Sequence, residues 1–189
     1  MVELEHTHEP AELKRFRNGN PSATWNSEDF NQVRTIIREQ LHHEQDGLCV
    51  YCECKIDSNV GHIDHIKPRA SHPQLAFIFE NMAVSCSARD HCGHIKADKT
   101  LPIEPTVGCN QFFSLAASTG LLFPAPEQPA GDQEAARQTI NILGLNHSPA
   151  LVRYRLQFLN TLRGLPNPED RQEFLSTSPF RWSLKGVLP

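Results

Sequence analysis

Cys49-Val50-Tyr51-Cys52 and, after 33 intervening residues, Cys86 and Cys92 with five residues between them constrain this chain more than any other feature. The C-x-x-C spacing lets one turn present two thiolates to a single ion. A second pair completes the four soft ligands that tetrahedral Zn2+ takes at ~2.3 Å each. A sphere closed by four thiolates leaves no open position, so such an ion is structural and pins two chain segments together. The gap between Cys86 and Cys92 is wide for a knuckle, which keeps Cys54 and His91 as conceivable substitutes, and four merely buried thiols as the plainer alternative. Disulfides are not expected. Met-Val-Glu-Leu-Glu lacks the basic-then-apolar layout of a secretion signal, and no apolar run reaches the ~18 residues of a membrane span. A cytoplasmic, reducing location follows as the expectation, and there Cys49, Cys52, Cys54, Cys86, Cys92 and Cys109 serve as ligands or free thiols.

Between the two cysteine pairs lies Gly61-His62-Ile63-Asp64-His65-Ile66-Lys67-Pro68-Arg69, followed by Asn81, and after the second pair comes His94. If the first stretch is a strand, alternation sends Asp64 and His65 to opposite faces, so the two cannot do the same job. This order of residues resembles the HNH nuclease superfamily. The resemblance implies an α+β fold: a ββα-metal core with a four-cysteine zinc knuckle, flanked by N- and C-terminal helices. It also implies a catalytic divalent ion, Mg2+ or Mn2+, held by Asp64 and His94 beside the structural Zn2+ on Cys49, Cys52, Cys86 and Cys92. His65 is then the general base, because a neutral imidazole with an ordinary pKa of about 6.5 can take a proton from water near neutrality. Asn81 can bridge its loop through side-chain hydrogen bonds and keep His65 aimed. Lys67, Arg69 and Lys96 are candidate phosphate contacts, each weighed evenly against an ordinary solvated charge. Cys92-Gly93-His94-Ile95-Lys96 resembles the cysteine, ligand, lysine order of zinc-bearing members, except that Gly93 intervenes, and His91 stays as the rival of His94. His62 is expected to start the strand or support the site rather than to bind the ion. His6, His8, His42, His43, His72 and His147 are expected at the surface.

The flanks narrow the resemblance. Glu9-Pro10 with Leu13, Phe16 and Trp25, the run from Gln45 to Glu53, and Leu143-Gly144-Leu145-Asn146-His147 with Leu151 and Arg153 are similar to the HNH nucleases of Septu-type antiphage systems and of a related retron class, over about residues 9–163. That similarity implies a partner, an ATPase of the ATP-binding-cassette type, and a nucleic-acid target, DNA or tRNA. No Gly-rich nucleotide loop occurs in this chain, so nucleotide sensing would belong to the partner.

Composition bears on the same point. The 189 residues suit one ordinary core, and the net charge of -4 provides no general footprint for nucleic acid. The balance counts against a stand-alone restriction-type HNH enzyme, which needs its own basic surface. A catalytically idle zinc-binding adaptor would explain the cysteines but not Asp64, His65, Asn81 and His94 in that order.

Three segments are expected: an arm over 1–26, a helix plus catalytic core over 27–110, and a mainly helical extension over 111–189, within one compact domain. Ser27 is placed to cap a helix whose stripe is Phe30, Val33, Ile37 and Leu41. Asp132 and Ser148-Pro149 are placed to start two more, and Asn167-Pro168 a third. Arg153, Arg155 and Arg163 fall mostly off the apolar face of the second. Residues 1–25 and Phe180-Arg181-Trp182 are expected to dock on the ATPase, since aromatic and Arg side chains are common interface anchors, weighed evenly against Trp25 and Trp182 closing the chain's own core.

Overall fold

The computed structural model describes residues 1–185, so the last four residues of the expected C-terminal extension lie outside the described residues. Helix α1 spans Ala11–Gly19 and α2 spans Asn31–Glu44. Ser27 does not cap an α-helix. Its hydroxyl accepts from the Thr24 N–H at 3.0 Å, a 3-10 turn covers Glu28–Phe30, and α2 begins only at Asn31. The stripe packs as its spacing requires: Phe30, Ile37 and Leu41 are fully buried, Val33 partly, against Leu13 and Phe16 of α1.

Strand β1 (His62–His65) pairs antiparallel with β2 (Met82–Ser85), setting His62 opposite Ser85 and Asp64 opposite Ala83. One turn of helix, α3 (Gly93–Lys96), follows the second cysteine pair. The end of α2 is bolted to this hairpin by Gln45. Its buried amide donates to the Leu48 and Val84 carbonyls, both at 2.8 Å, and its oxygen accepts from the Val84 N–H at 2.7 Å. Gly47, at φ +69, then turns the chain into Cys49.

A second antiparallel pair, β3 (Phe113–Leu115) and β4 (Leu122–Pro124), leads into α4 (Ala130–Ile142), α5 (Pro149–Gly164), α6 (Pro168–Thr177) and α7 (Arg181–Lys185). Pro129 precedes α4, which moves Asp132 from the cap into the first turn. Ser148 does cap α5, accepting from the Leu151 N–H. Arg155 departs from the expected pattern by being buried. The turn at Gly120 and the stretch after α4 leave carbonyls under α5, and the guanidinium donates to Gly120 at 2.7 Å and Leu145 at 3.1 Å.

The expected docking anchors are partly consumed by the chain's own core. Phe180 has no exposed surface and packs edge-on to Tyr154 and Phe158, and Met1 and Val2 are buried in the same cluster as the cysteine knuckle. Glu53, beside Cys52, ties these ends together by accepting from the Met1 ammonium at 3.1 Å, the Trp182 N–H at 2.9 Å and the Ser183 hydroxyl. Among the described residues no helix is long and apolar enough to cross a membrane.

Candidate active site and metal centre

The knuckle segment 49–52 meets the end of β2 and the start of α3, and this brings Cys49, Cys52, Cys86 and Cys92 together with all four Sγ atoms within 4.8 Å of one another. Cys49 to Cys92 measures 3.7 Å and Cys52 to Cys86 3.9 Å. A regular tetrahedron of ~2.3 Å bonds has edges of roughly 3.8 Å, so the quartet has the dimensions of a zinc cage before any ion is considered. Cys54 and His91 stand outside it. The Cys86 N–H donates to the Cys49 sulfur at 3.3 Å. Burial raises the Cys49 thiol, but hydrogen bonds from Cys52, Cys86 and Cys92 outweigh it and hold Cys49 well below the ordinary thiol value. Cys92 is driven well above it, by burial first and by Cys49 next. A thiolate at Cys49 therefore disfavours a second one at Cys92.

Asp64 and His65 do face different neighbours. The Asp64 carboxylate accepts from the Tyr51 hydroxyl at 2.5 Å and lies 3.2 Å from the Lys96 ammonium. Lys96 is wholly buried and also donates to the His65 carbonyl at 2.7 Å. The sequence leaves it either a phosphate contact or a solvated charge; the short α3 instead turns its side chain inward, beneath β1. Neither the role of Tyr51 nor the inward course of Lys96 was drawn from the sequence, although Tyr51 sits inside the C-x-x-C turn and so moves with the cage.

The His65 ring lies on the other side, 5 % exposed, edge-on to Trp25 with centroids 4.4 Å apart. Its Nε2 is 3.0 Å from the Ala76 carbonyl, which can only accept. Nε2 therefore carries the proton and Nδ1 the free lone pair. Burial pushes the imidazole down to about 4, opposed by the Ala76 bond, so His65 is neutral at pH 7. Asn81 spans the loop between the strands. Its oxygen accepts from the Lys67 N–H at 2.8 Å and its amide donates to the Lys67 and Leu75 carbonyls at 3.0 and 3.3 Å. Lys67 is half-exposed beside Glu104 at 3.8 Å. Arg69 is exposed and sits 5.3 Å from the Trp25 ring centre.

Two further features need the tertiary fold to be seen. Arg34 of α2 flanks the same Trp25 ring at 5.4 Å, and burial first, then the charges of Arg69 and Arg38, lower its pKa, so two guanidiniums, Arg34 and Arg69, lie against the ring that meets His65. On the opposite side, His62 and the exposed His94 bring their rings to 5.0 Å.

No family model matches the chain. A protein of Vibrio cholerae serotype O1 biovar El Tor named "Retron Vc95 putative HNH endonuclease" is 36% identical to it, over 77% of this chain and 77% of that protein. This chain belongs to the HNH endonuclease family. In this HNH protein the cysteine cage, the hairpin and α3 meet at one place. The arm and α2 contribute Trp25 and Arg34 to one side of it, so the site is assembled from residues far apart in sequence.

Proposed function

We propose that this protein is a metal-dependent HNH endonuclease that hydrolyses nucleic-acid phosphodiester bonds, with β1, β2 and α3 as its ββα-metal unit. One observation carries the reading: His65 is held neutral with Nε2 tied to Ala76 and Nδ1 left as a base, on the strand that also presents Asp64. His65 takes the proton from the attacking water at Nδ1. Asp64, fixed by Tyr51 and Lys96, and His94 are the residues to hold a divalent ion, Mg2+ or Mn2+. Bound there, such an ion supplies charge neutralisation at the phosphoryl and leaving oxygens. Asn81 keeps the loop after His65 in register. Cys49, Cys52, Cys86 and Cys92 hold a structural Zn2+. Arg34 and Arg69, with Lys67 nearby, give the local phosphate grip that a net charge of -4 does not supply globally. An apolar cluster that takes residues from Met1 to Leu184 supports the segments 1–26, 27–110 and the described part of 111–189 as one folded unit.

We read the chain further as the nuclease effector of an antiphage complex with an ATPase of the ATP-binding-cassette type. This rests on the Septu-like flanks and on the relative, whose name carries a retron. With Phe180 buried, the surfaces left for that partner are the exposed part of the arm, from Glu5 to Thr24, and Trp182.

The test is cleavage of plasmid DNA and of tRNA by the zinc-loaded protein, alone and with an ATP-binding-cassette-type ATPase co-purified from its neighbouring genes. His65→Ala should abolish cleavage and leave the protein folded and co-eluting, with melting lowered only by the lost packing on Trp25. Cleavage by His65→Ala at the parent rate would overturn the assignment, and a parent inert on both substrates with the ATPase present would favour the adaptor.

A further inference from the structure

Two protein donors, Asp64 and His94, leave a divalent ion loosely held, and β1 offers a third. His62 and Asp64 are two residues apart on the strand, so the pleat sends both side chains to one face. The His94 ring reaches that face, 5.0 Å from His62. The Nδ1 of His62 is buried and has no hydrogen-bond partner. Such an atom is costly to leave unsatisfied.

Gly93 adds a second, independent observation. A Cβ at this position would stand 2.6 Å from His62 Nε2 and 3.0 Å from the Ser85 hydroxyl. Gly93 does not have a positive φ, so its backbone does not require glycine. What requires it is the His62 ring, which fills the hollow where a side chain of residue 93 would begin. The glycine that separates Cys92 from His94 thus makes room for an imidazole arriving from β1.

Asp64 is fixed by Tyr51 and Lys96, and His62 is confined between β1 and Gly93, while His94 is exposed beside the His62 ring. The cysteine cage lies next to this face, behind Gly93 and Ser85, but draws on none of these three residues, and it is the one group among the described residues whose donors already lie within 4.8 Å of each other. We infer that His62, Asp64 and His94 form one three-donor site for a first-row transition ion, in preference to Mg2+, with His94 closing on the ion last. This rests on the HNH reading and extends it. The chemistry is that of the donors: Mg2+ takes oxygen ligands and keeps its waters, whereas two imidazoles and one carboxylate suit a borderline ion and leave positions open for phosphate and water.

The experiment is Mn2+ binding to the zinc-loaded protein, followed by the electron paramagnetic resonance of free Mn2+, with Mg2+ as competitor and melting as the control for folding. The parent should take up about one Mn2+ per chain and keep it against a roughly tenfold excess of Mg2+. His62→Ala should weaken Mn2+ binding by about tenfold or more, at least the loss usual for a residue that only supports a ligand. His62→Asp should restore binding and let Mg2+ compete. Gly93→Ala should weaken binding in the parent and do nothing further in His62→Ala, because both changes act on the same hollow. If His62→Ala binds Mn2+ like the parent while Asp64→Ala does not, the inference fails and the ion site of Asp64 stands. If the parent binds no Mn2+, or Asp64→Ala binds it unchanged, the inference falls together with the reading beneath it.

Discussion

Lys96→Met removes a buried ammonium from beneath the site and keeps a stem of similar length. Two interactions are lost. The first is the 2.7 Å bond to the His65 carbonyl, a charged hydrogen bond of the kind that contributes about 1.5–3 kcal/mol. The second is the 3.2 Å ion pair with Asp64. Removing one partner of a fully buried pair costs about 3–5 kcal/mol, because the other charge stays behind uncompensated. Asp64 is 15% exposed and keeps the Tyr51 hydroxyl, and methionine returns some apolar contact, so the two losses do not add in full. A destabilisation of about 2–4 kcal/mol results. At about 2–4 °C per kcal/mol for a domain of this size, the melting temperature should fall by roughly 5–15 °C. The assay is urea and thermal unfolding of the zinc-loaded protein, repeated in an Asp64→Asn background. There the second change should cost about 1 kcal/mol less, since the pair is already broken. If Lys96→Met melts within about 1 °C of the parent and shows no coupling to Asp64, the ammonium does not hold the carboxylate, and the reasoning fails.

Stripping zinc with a chelator, or Cys92→Ser, should unfold the core and not merely loosen it, as followed by circular dichroism. Structural zinc contributes an apparent ~10–16 kcal/mol against a whole-domain stability of only ~5–15 kcal/mol. Arg69→Ala should weaken nucleic-acid binding across sequences and lower the salt slope by about one unit; an unchanged slope would remove Arg69 from the interface. Acid should release the arm. Burial raises the Glu44 carboxyl, but hydrogen bonds from Gln40, His6 and Thr7 outweigh it and hold the group below its ordinary value. Its stabilisation is thus present in full above that ordinary value and is lost as pH falls through the lower folded one. Limited proteolysis of residues 1–10 should accelerate below about pH 4, and Glu44→Gln should remove that dependence.

The sequence determined what depends on local chemistry and spacing. The C-x-x-C turn and the later cysteine pair give four soft donors by spacing alone, and the quartet closes at the dimensions of a zinc cage. Ile63-Asp64-His65 alternates by the pleat alone. The α2 stripe follows from its period, as does the cap of α5 from Ser148 before Pro149. Tertiary structure decided whatever depends on which surface lies underneath. Lys96 and Arg155 look in sequence like solvated cations, yet each is buried, donating to backbone carbonyls of distant segments, His65 in one case, with Asp64 as counter-charge, and Gly120 with Leu145 in the other. Phe180 reads as an interface anchor until α5 is seen to cover it. Gly93 reads as an awkward insertion between Cys92 and His94 until β1 places the His62 ring on top of it. Periodicity reports the face a residue occupies on its own element; the partner that meets that face is fixed only when the elements pack.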